Sequence, residues 1–244
     1  MTDYARFSWT VLLPVKVLAR AKSRLAVLAG DRRHELALAL ASDTVSAVLA
    51  CPEVARVIVV TSDPVAGPRL AALGAHIIDD PGEVSVELSR EGADGSQHAL
   101  NAALLHGADA ATRRWPGSGL AALTADLPAL RPDELATALR AVGRGHRDAG
   151  GAPGAPGAPG AAFVPDAAGV GTTMYAVPTG GQFRPVFGGA SRARHSAAGA
   201  VELALDGIAG LRQDVDTPDD LRAAVALGVG PRTAEVAAVL LADA

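Results

Sequence analysis

Short apolar runs alternate along this chain with longer stretches of helically spaced apolar residues. Val11 to Val15 is the first run and reads as a buried strand, and Asp31 to Ala50 follows with Leu36, Leu40, Val45, Val48 and Leu49 at mainly helical spacing. Arg56 to Thr61 reads as a second strand, stopped by Ser62, Asp63 and Pro64, and a helix around Leu70 leads to a short strand at His76 to Ile78. Asp94 to Trp115 sets Leu100, Leu104 and Ala108 on one helical face. Leu120 to Thr124 is a further buried strand, stopped by Asp126-Leu127-Pro128, and Pro132 opens the next helix at the first-turn position that proline favours. Ala161 to Val164 and Thr173 to Val177 are predicted as later strands, with Leu211 to Val215 as the last. Thr217-Pro218-Asp219-Asp220 combines an N-cap, a first-turn proline and two acids against the helix dipole, and Arg232 to Leu241 closes the chain as a helix. This strand-helix-strand rhythm predicts an α/β fold with a largely parallel sheet.

Composition narrows the class. The chain has 244 residues, 49% of them hydrophobic, enough to bury a full core in one large α/β domain. Gly151 to Gly160 reads GAPGAPGAPG and lacks an apolar anchor that could offset its ordering cost, so residues 150–160 are expected to be a flexible insertion within a single domain spanning 1–244. A formal charge of -4 argues against a broadly basic nucleic-acid surface. Cys51 is the only cysteine, which excludes an intramolecular disulfide and a cysteine-built metal cage and points to a reducing cytoplasm. No apolar run approaches the ~20 residues that span a bilayer, and the amino terminus lacks the layout of a secretory signal, so a soluble cytoplasmic protein is expected.

Three clusters carry candidate chemistry. Directly after the first strand stand Lys16, Arg20, Lys22 and Arg24, where open α/β sheets gather their ligands, which points to a nucleotide or a phosphorylated metabolite. Pro14 to Leu25 contains no glycine, which excludes a P-loop and leaves charge neutralisation to side chains. The spacing of Lys16, Arg20 and Arg24 suits the solvated face of a helix equally well.

The second cluster is a pair of acidic strand ends, Asp126 in LTADLPAL and Asp214 and Asp216 in QDVDTPDDL. Asp126 and Asp216 could supply the one or two carboxylates that Mg²⁺ takes from protein, whereas turn-forming or capping is the plainer role for Asp219 and Asp220. The third cluster is GVGTTMYAV at Gly169 to Val177 with FGGASRARH at Phe187 to His195. Its glycines, the hydroxyls of Thr172, Thr173 and Ser191 and the charges of Arg192 and Arg194 could hold a second small anion. A strand followed by a helix with Ser191 as N-cap explains the same residues, and a lone His195 is more often structural than catalytic.

Together LLPVKVLARAKSRL, ALNAAL at Ala99 to Leu104, LTADLPAL, GVGTTMYAV, FGGASRARH and DVDTPDDL resemble, in the same order from about Val11 to Leu221, the 2-phospho-L-lactate or phosphoenolpyruvate guanylyltransferases of coenzyme F-420 biosynthesis. GVGTT and FGGASRARH in combination are the specific segments; LNAAL and DLP occur widely among nucleotidyltransferases of this fold. The resemblance implies one GT-A-like, Rossmann-like nucleotidyltransferase domain with a mixed, mostly parallel central sheet flanked by helices. It implies phosphoenolpyruvate at Thr173, Gly188 and Ser191, Mg²⁺ on Asp126 and Asp216, and nucleotide contacts at Leu13, Pro14, Lys16, Lys22, Arg24 and Asn101. Lys16, Lys22, Arg24 and Asp126 would be catalytic. The insertion at Gly151 to Gly160 and Val170 depart from the family pattern.

The activity so implied joins the GMP moiety of GTP to phosphoenolpyruvate or 2-phospho-L-lactate, and the phosphoenolpyruvate product would be enolpyruvyl-diphospho-5'-guanosine. A partner would be the next transferase of the pathway, which would take that product by handover. Two other readings remain compatible with parts of the pattern. A molybdopterin or sugar-phosphate nucleotidyltransferase shares LNAAL and DLP but usually begins with a glycine-rich loop, and a non-catalytic nucleotide-binding module would be expected to lack the metal carboxylates.

Overall fold

The computed structural model describes residues 8–18, 25–81, 93–148 and 160–242. Arg20, Lys22 and Arg24 lie outside the described residues, as does the insertion at 150–160 apart from Gly160. Strand β1 (Trp9–Pro14) leads through α1 (Ala26–Ala29) into α2 (Arg33–Leu49), and β2 (Val54–Val60), α3 (Ala66–Ala71) and β3 (His76–Ile78) follow. Next come α4 (Ala93–Arg114), β4 (Gly119–Leu123), α5 (Pro132–Asp148), β5 (Ala162–Pro165) and β6 (Thr172–Val177). The chain continues through α6 (Ser191–Ala197), β7 (Val201–Glu202), α7 (Ala209–Arg212), α8 (Pro218–Leu227) and α9 (Pro231–Ala242).

The seven strands among the described residues form one sheet in the order β3-β2-β1-β4-β6-β5-β7. β1 pairs in parallel with β2 and β4, and β2 with β3. β6 runs antiparallel to both its neighbours, β4 and β5, and β7 is parallel to β5. The sheet is therefore mixed and mostly parallel. Because β6 reverses direction, its first residues meet the carboxyl end of β4, where the parallel strands open.

Both faces of the sheet are covered, which explains why its strands read as nearly continuous apolar runs. Val11, Leu13, Val57, Val59, Ala121 and Leu123 face one layer with Ala41 and Val45 of α2 and Leu135 and Leu139 of α5. The alternate residues Leu12, Ile58, Val60, Leu120 and Ala122 pack with Ala103, Leu104 and Ala108 of α4. Small residues bring α4 close: a Cβ at Gly107 would lie 2.9 Å from Val60 Cγ2 and 3.5 Å from Leu12 Cδ2. The closing helix α9 rests on α2, where the Asp43 carboxylate accepts from the Thr233 N–H at 2.7 Å in its first turn.

The alternation locates most elements to within two residues. Leu211 to Val215 is an exception, since Leu211 lies in α7 and the residues after it join no strand. Leu211 and Val215 are both buried, which mimics a strand pattern, but the intervening N–H groups bond locally, Gln213 to Ala209 and Asp214 to Arg212. Strand β7, two residues long, is too short to show a period. Ser191 is not an N-cap: Ala190 holds that position without a side-chain bond, and Ser191 sits buried in the first turn. Thr217 does cap α8, accepting from the Asp220 N–H while the Asp220 carboxylate accepts from the Thr217 N–H in a capping box.

Candidate functional site

At the carboxyl ends of β1 and β2, the chain after β1 is tied to β2 and to the turn that follows it. Leu13 is wholly buried in β1, Pro14 pairs with Val60, and the Val15 N–H donates to the Val60 carbonyl at 2.9 Å. Lys16 then emerges into solvent. The next anchor is Asp63, buried beyond β2. One of its carboxylate oxygens accepts from the Leu18 N–H at 2.8 Å, and the other accepts from Val65 and Ala66 at 2.9 and 2.7 Å. Desolvation alone would raise the pKa of this carboxyl, but bonds from the Ala66, Leu18 and Val65 main chain, with His34 nearby, together hold it below its ordinary value. In the sequence Asp63 shows only as a strand stop. An aspartate followed by proline at a strand end is a turn signal, and here the turn reaches across to the first loop.

The carboxyl end of β4 gathers the second cluster. Asp126 stands three residues past the strand, and its carbonyl accepts from the Val215 N–H at 3.1 Å, so the segments carrying Asp126 and Asp216 are bonded to each other. Asp126 is half-buried and Asp216 exposed. The surrounding backbone is fixed from below. The Leu127 N–H donates to the buried Thr44 hydroxyl at 2.9 Å, and the buried Glu134 accepts from the Gly210 N–H at 3.0 Å at the start of the Asp216 segment. A Cβ at Gly210 would fall 2.1 Å from the Ala129 carbonyl oxygen, so only glycine allows this approach. Among the described residues no group of three or more His, Cys, Asp or Glu is arranged for a metal. A pair of carboxylates on adjoining, partly open segments still fits a hard cation such as Mg²⁺, which completes its octahedron with phosphate oxygens and water.

Thr173 joins this cluster through the main chain, because its carbonyl accepts from the Thr124 N–H at 3.0 Å just beyond β4. Its own side chain is fully buried. Gly188 has φ +97, and a Cβ there would lie 2.6 Å from the Gln97 side chain, two independent reasons for glycine. Asn101 lies beneath it: the side-chain oxygen accepts from the Phe187 N–H at 2.9 Å and the amide nitrogen donates to the Phe187 carbonyl at 3.1 Å. The amide expected to meet nucleotide thus holds the FGG segment. The Asp166 carboxylate shapes the GVG turn by accepting from Val170 and Gly171.

His195 is the centre of this region and wholly buried. Its Nε2 accepts from the Val186 N–H at 3.0 Å, which leaves the proton on Nδ1, 3.0 Å from Thr172 Oγ1. The ring stacks between Phe163 and Tyr175 and meets Phe187 edge-on. Burial pushes its pKa from 6.5 down to about 4, with the Ser191 main chain opposing and Arg194 assisting, so it is neutral at pH 7. His195 therefore serves as a structural post. Arg192 is likewise not available to an anion as the sequence suggested: it donates to both Glu202 oxygens at 2.8 and 2.9 Å and to the Gly169 carbonyl at 3.0 Å. Arg194 bonds the Gln97 side chain and the Phe187 and Gly188 carbonyls.

The structure thus brings Asp126, Asp216 and Thr173 to one strand end and joins Gly188 to Asn101 through Phe187. Lys16 lies one strand away, after β1.

No protein-family model matches the chain. A phosphoenolpyruvate guanylyltransferase of Streptomyces coelicolor is 54% identical over 235 residues, covering 96% of this chain and 97% of that protein. Another, from Thermomonospora curvata, is 52% identical over 234 residues, covering 96% of this chain and 90% of its own. Among solved structures, a nucleotidyl transferase from Methanothermobacter thermautotroptrophicus shares the fold with a TM-score of 0.55 at 17% identity, over 91% of this chain and 97% of that one.

Proposed function

This chain belongs to the phosphoenolpyruvate guanylyltransferase family, and on that premise we propose that it joins the GMP moiety of GTP to phosphoenolpyruvate and releases pyrophosphate. The observation that carries the reading is the Val215-to-Asp126 main-chain bond, which unites two carboxylate-bearing segments at the strand end that also holds Thr173. That arrangement supports a site with two anionic substrates and a divalent cation.

Phosphoenolpyruvate arrives with an ionised phosphate, so one of its oxygens can attack the α-phosphorus of GTP without a general base or a covalent enzyme intermediate. Positioning and charge neutralisation then remain for the protein. Asp126 and Asp216 would hold Mg²⁺, which when bound supplies positive charge to phosphate oxygens. Lys16, exposed beyond β1, is suited to charge that builds on the leaving pyrophosphate, with Lys22 and Arg24 assigned the same task from sequence. Gly188 lies within the FGG turn and Ser191 two residues after it, and Asn101 and His195 keep that turn in place for the three-carbon acid. The product would be enolpyruvyl-diphospho-5'-guanosine, passed to the next transferase of deazaflavin coenzyme F-420 synthesis in a reducing cytoplasm. No described helix is long and apolar enough to cross a membrane.

The test is pyrophosphate release from Mg²⁺, each NTP and each of phosphoenolpyruvate, 2-phospho-L-lactate and 3-phosphoglycerate. GTP with phosphoenolpyruvate is expected to be the fastest pair, and silence with every pair would favour a non-catalytic nucleotide-binding module. Asp126→Asn is expected to abolish Mg²⁺-dependent release while the thermal midpoint stays put, since it removes a charge and no core volume. Turnover retained by that variant refutes the metal assignment.

A further inference from the structure

We propose that the hydroxyl of Thr124 is a substrate-binding group of this site, donating to a phosphate oxygen of phosphoenolpyruvate; the inference rests on the reading above. Thr124 is the first residue after β4, two before Asp126, and its N–H holds the Thr173 carbonyl at 3.0 Å. It stands between the metal-binding and acid-binding residues, yet the sequence pattern gave it no role beyond ending a strand.

The residue is partly exposed, whereas its Oγ1 is buried and has no hydrogen-bond partner among the described residues. Its exposed surface therefore belongs to other atoms. A buried hydroxyl without a partner costs about 1–3 kcal/mol, and valine would fill the same volume without that cost. A threonine kept under such a penalty needs a second reason. Threonine's χ1 wells exchange hydroxyl and methyl by a turn of roughly 120°, so rotation can bring Oγ1 to the exposed side when an acceptor arrives. The Thr10 and Thr233 hydroxyls are also buried without partners among the described residues, but Thr10 lies near the amino end of β1 and Thr233 in α9. Thr124 is at the carboxyl end of a parallel strand, where this fold class binds ligands.

Its bond to Thr173 assigns the hydroxyl to the phosphoenolpyruvate side. Losing one donor to a charged phosphate is expected to lower kcat/KM for phosphoenolpyruvate about tenfold or more. Thr124→Val and Thr124→Ser are compared with the parent for pyrophosphate release, the KM of each substrate, and thermal midpoint. The expected result is a Val variant with a midpoint at or above the parent's, impaired toward phosphoenolpyruvate, with a KM for GTP changed by less than about twofold, and a Ser variant that recovers most of the activity. A Val variant with parental kcat/KM overturns the proposal. So does one that loses midpoint and activity together, or a Ser variant no better than Val. An inactive parent overturns the guanylyltransferase reading and this inference with it, which separates the two failures.

Discussion

Asp63 and His195 hold opposite sides of the candidate site, one as a buried anion and the other as a buried neutral ring. Asp63 gathers three main-chain N–H groups from the loops after β1 and β2, and those bonds keep it ionised despite burial. His195 links β6 to the loop at Val186 inside a cage of Phe163, Tyr175 and Phe187, where the charged form is strongly disfavoured. The difference follows from their neighbours. Orphan backbone donors at a loop want an acceptor with full charge, while an aromatic interior tolerates only a neutral bridge. Each substrate side should therefore fail under different conditions.

The largest break comes from His195→Ala. It opens a cavity among aromatic side chains and leaves the Val186 N–H without its acceptor, so a loss of about 4 kcal/mol is expected in denaturant unfolding. A loss below about 1 kcal/mol would mean the ring is not the post described here.

The parent's acid response sharpens the comparison next. An unfolded His195 titrates near 6.5 and the folded one near 4, so between those values the unfolded chain binds the extra proton. His195's contribution is complete above about pH 6.5 and is lost as pH falls through 4, about 3 kcal/mol in all. Asp63, with its folded pKa lowered from 3.8, contributes above that value and loses its share only below it. The phosphoenolpyruvate side should loosen first on acidification, and the slope between pH 6.5 and 4 should flatten in a His195 variant but persist in Asp63→Asn.

Asp63→Asn itself is a smaller break. An amide keeps one acceptor but turns a donor toward the N–H groups of one loop, at a cost of about 2 kcal/mol. Its kinetic mark should be a raised KM for GTP with the KM for phosphoenolpyruvate little changed. Equal changes would show that Asp63 supports the whole fold and not the first loop. Ser191→Ala probes the other side and should weaken phosphoenolpyruvate about tenfold, roughly 1.4 kcal/mol, with GTP nearly unaffected. If both affinities moved together, the two substrates would not occupy separate parts of the site.

The layers of the fold were legible because β1, β2 and β4 are buried on both faces and α4 sets Leu100, Leu104 and Ala108 on one face. Asp126 was legible as a ligand candidate because a strand end announces itself by aspartate and proline, Asp216 because it repeats that signal after a run that reads as a strand, and Thr173 because its hydroxyl follows the GVG glycines. What joins them was not. The Val215-to-Asp126 and Thr124-to-Thr173 bonds are between main-chain atoms, which carry no residue signature. Asp63 and Glu134 act on segments 45 and 76 residues away, separations at which no local period links the partners. Leu211 and Val215 misled because two buried apolar residues at an even separation resemble one strand face, whereas strand pairing depends on where the N–H groups point.

Arg192 supplies the finest test, because here two readings of one cation differ. As an anion donor it would face phosphoenolpyruvate; as found, it braces the GVG turn through the Gly169 carbonyl while Glu202 holds the rest of its guanidinium and raises its pKa. Both members of the pair are partly exposed, so water screens their attraction. Glu202→Gln keeps an acceptor for Arg192 and removes only charge. The brace predicts a KM for phosphoenolpyruvate within about twofold of the parent's and a midpoint that hardly moves, at low and high salt alike. An anion donor predicts otherwise: freed from Glu202, Arg192 would bind phosphoenolpyruvate more tightly, most visibly at low salt. Tighter binding in that variant would return Arg192 to the substrate and make the phosphoenolpyruvate side, like the nucleotide side, one that depends on charge.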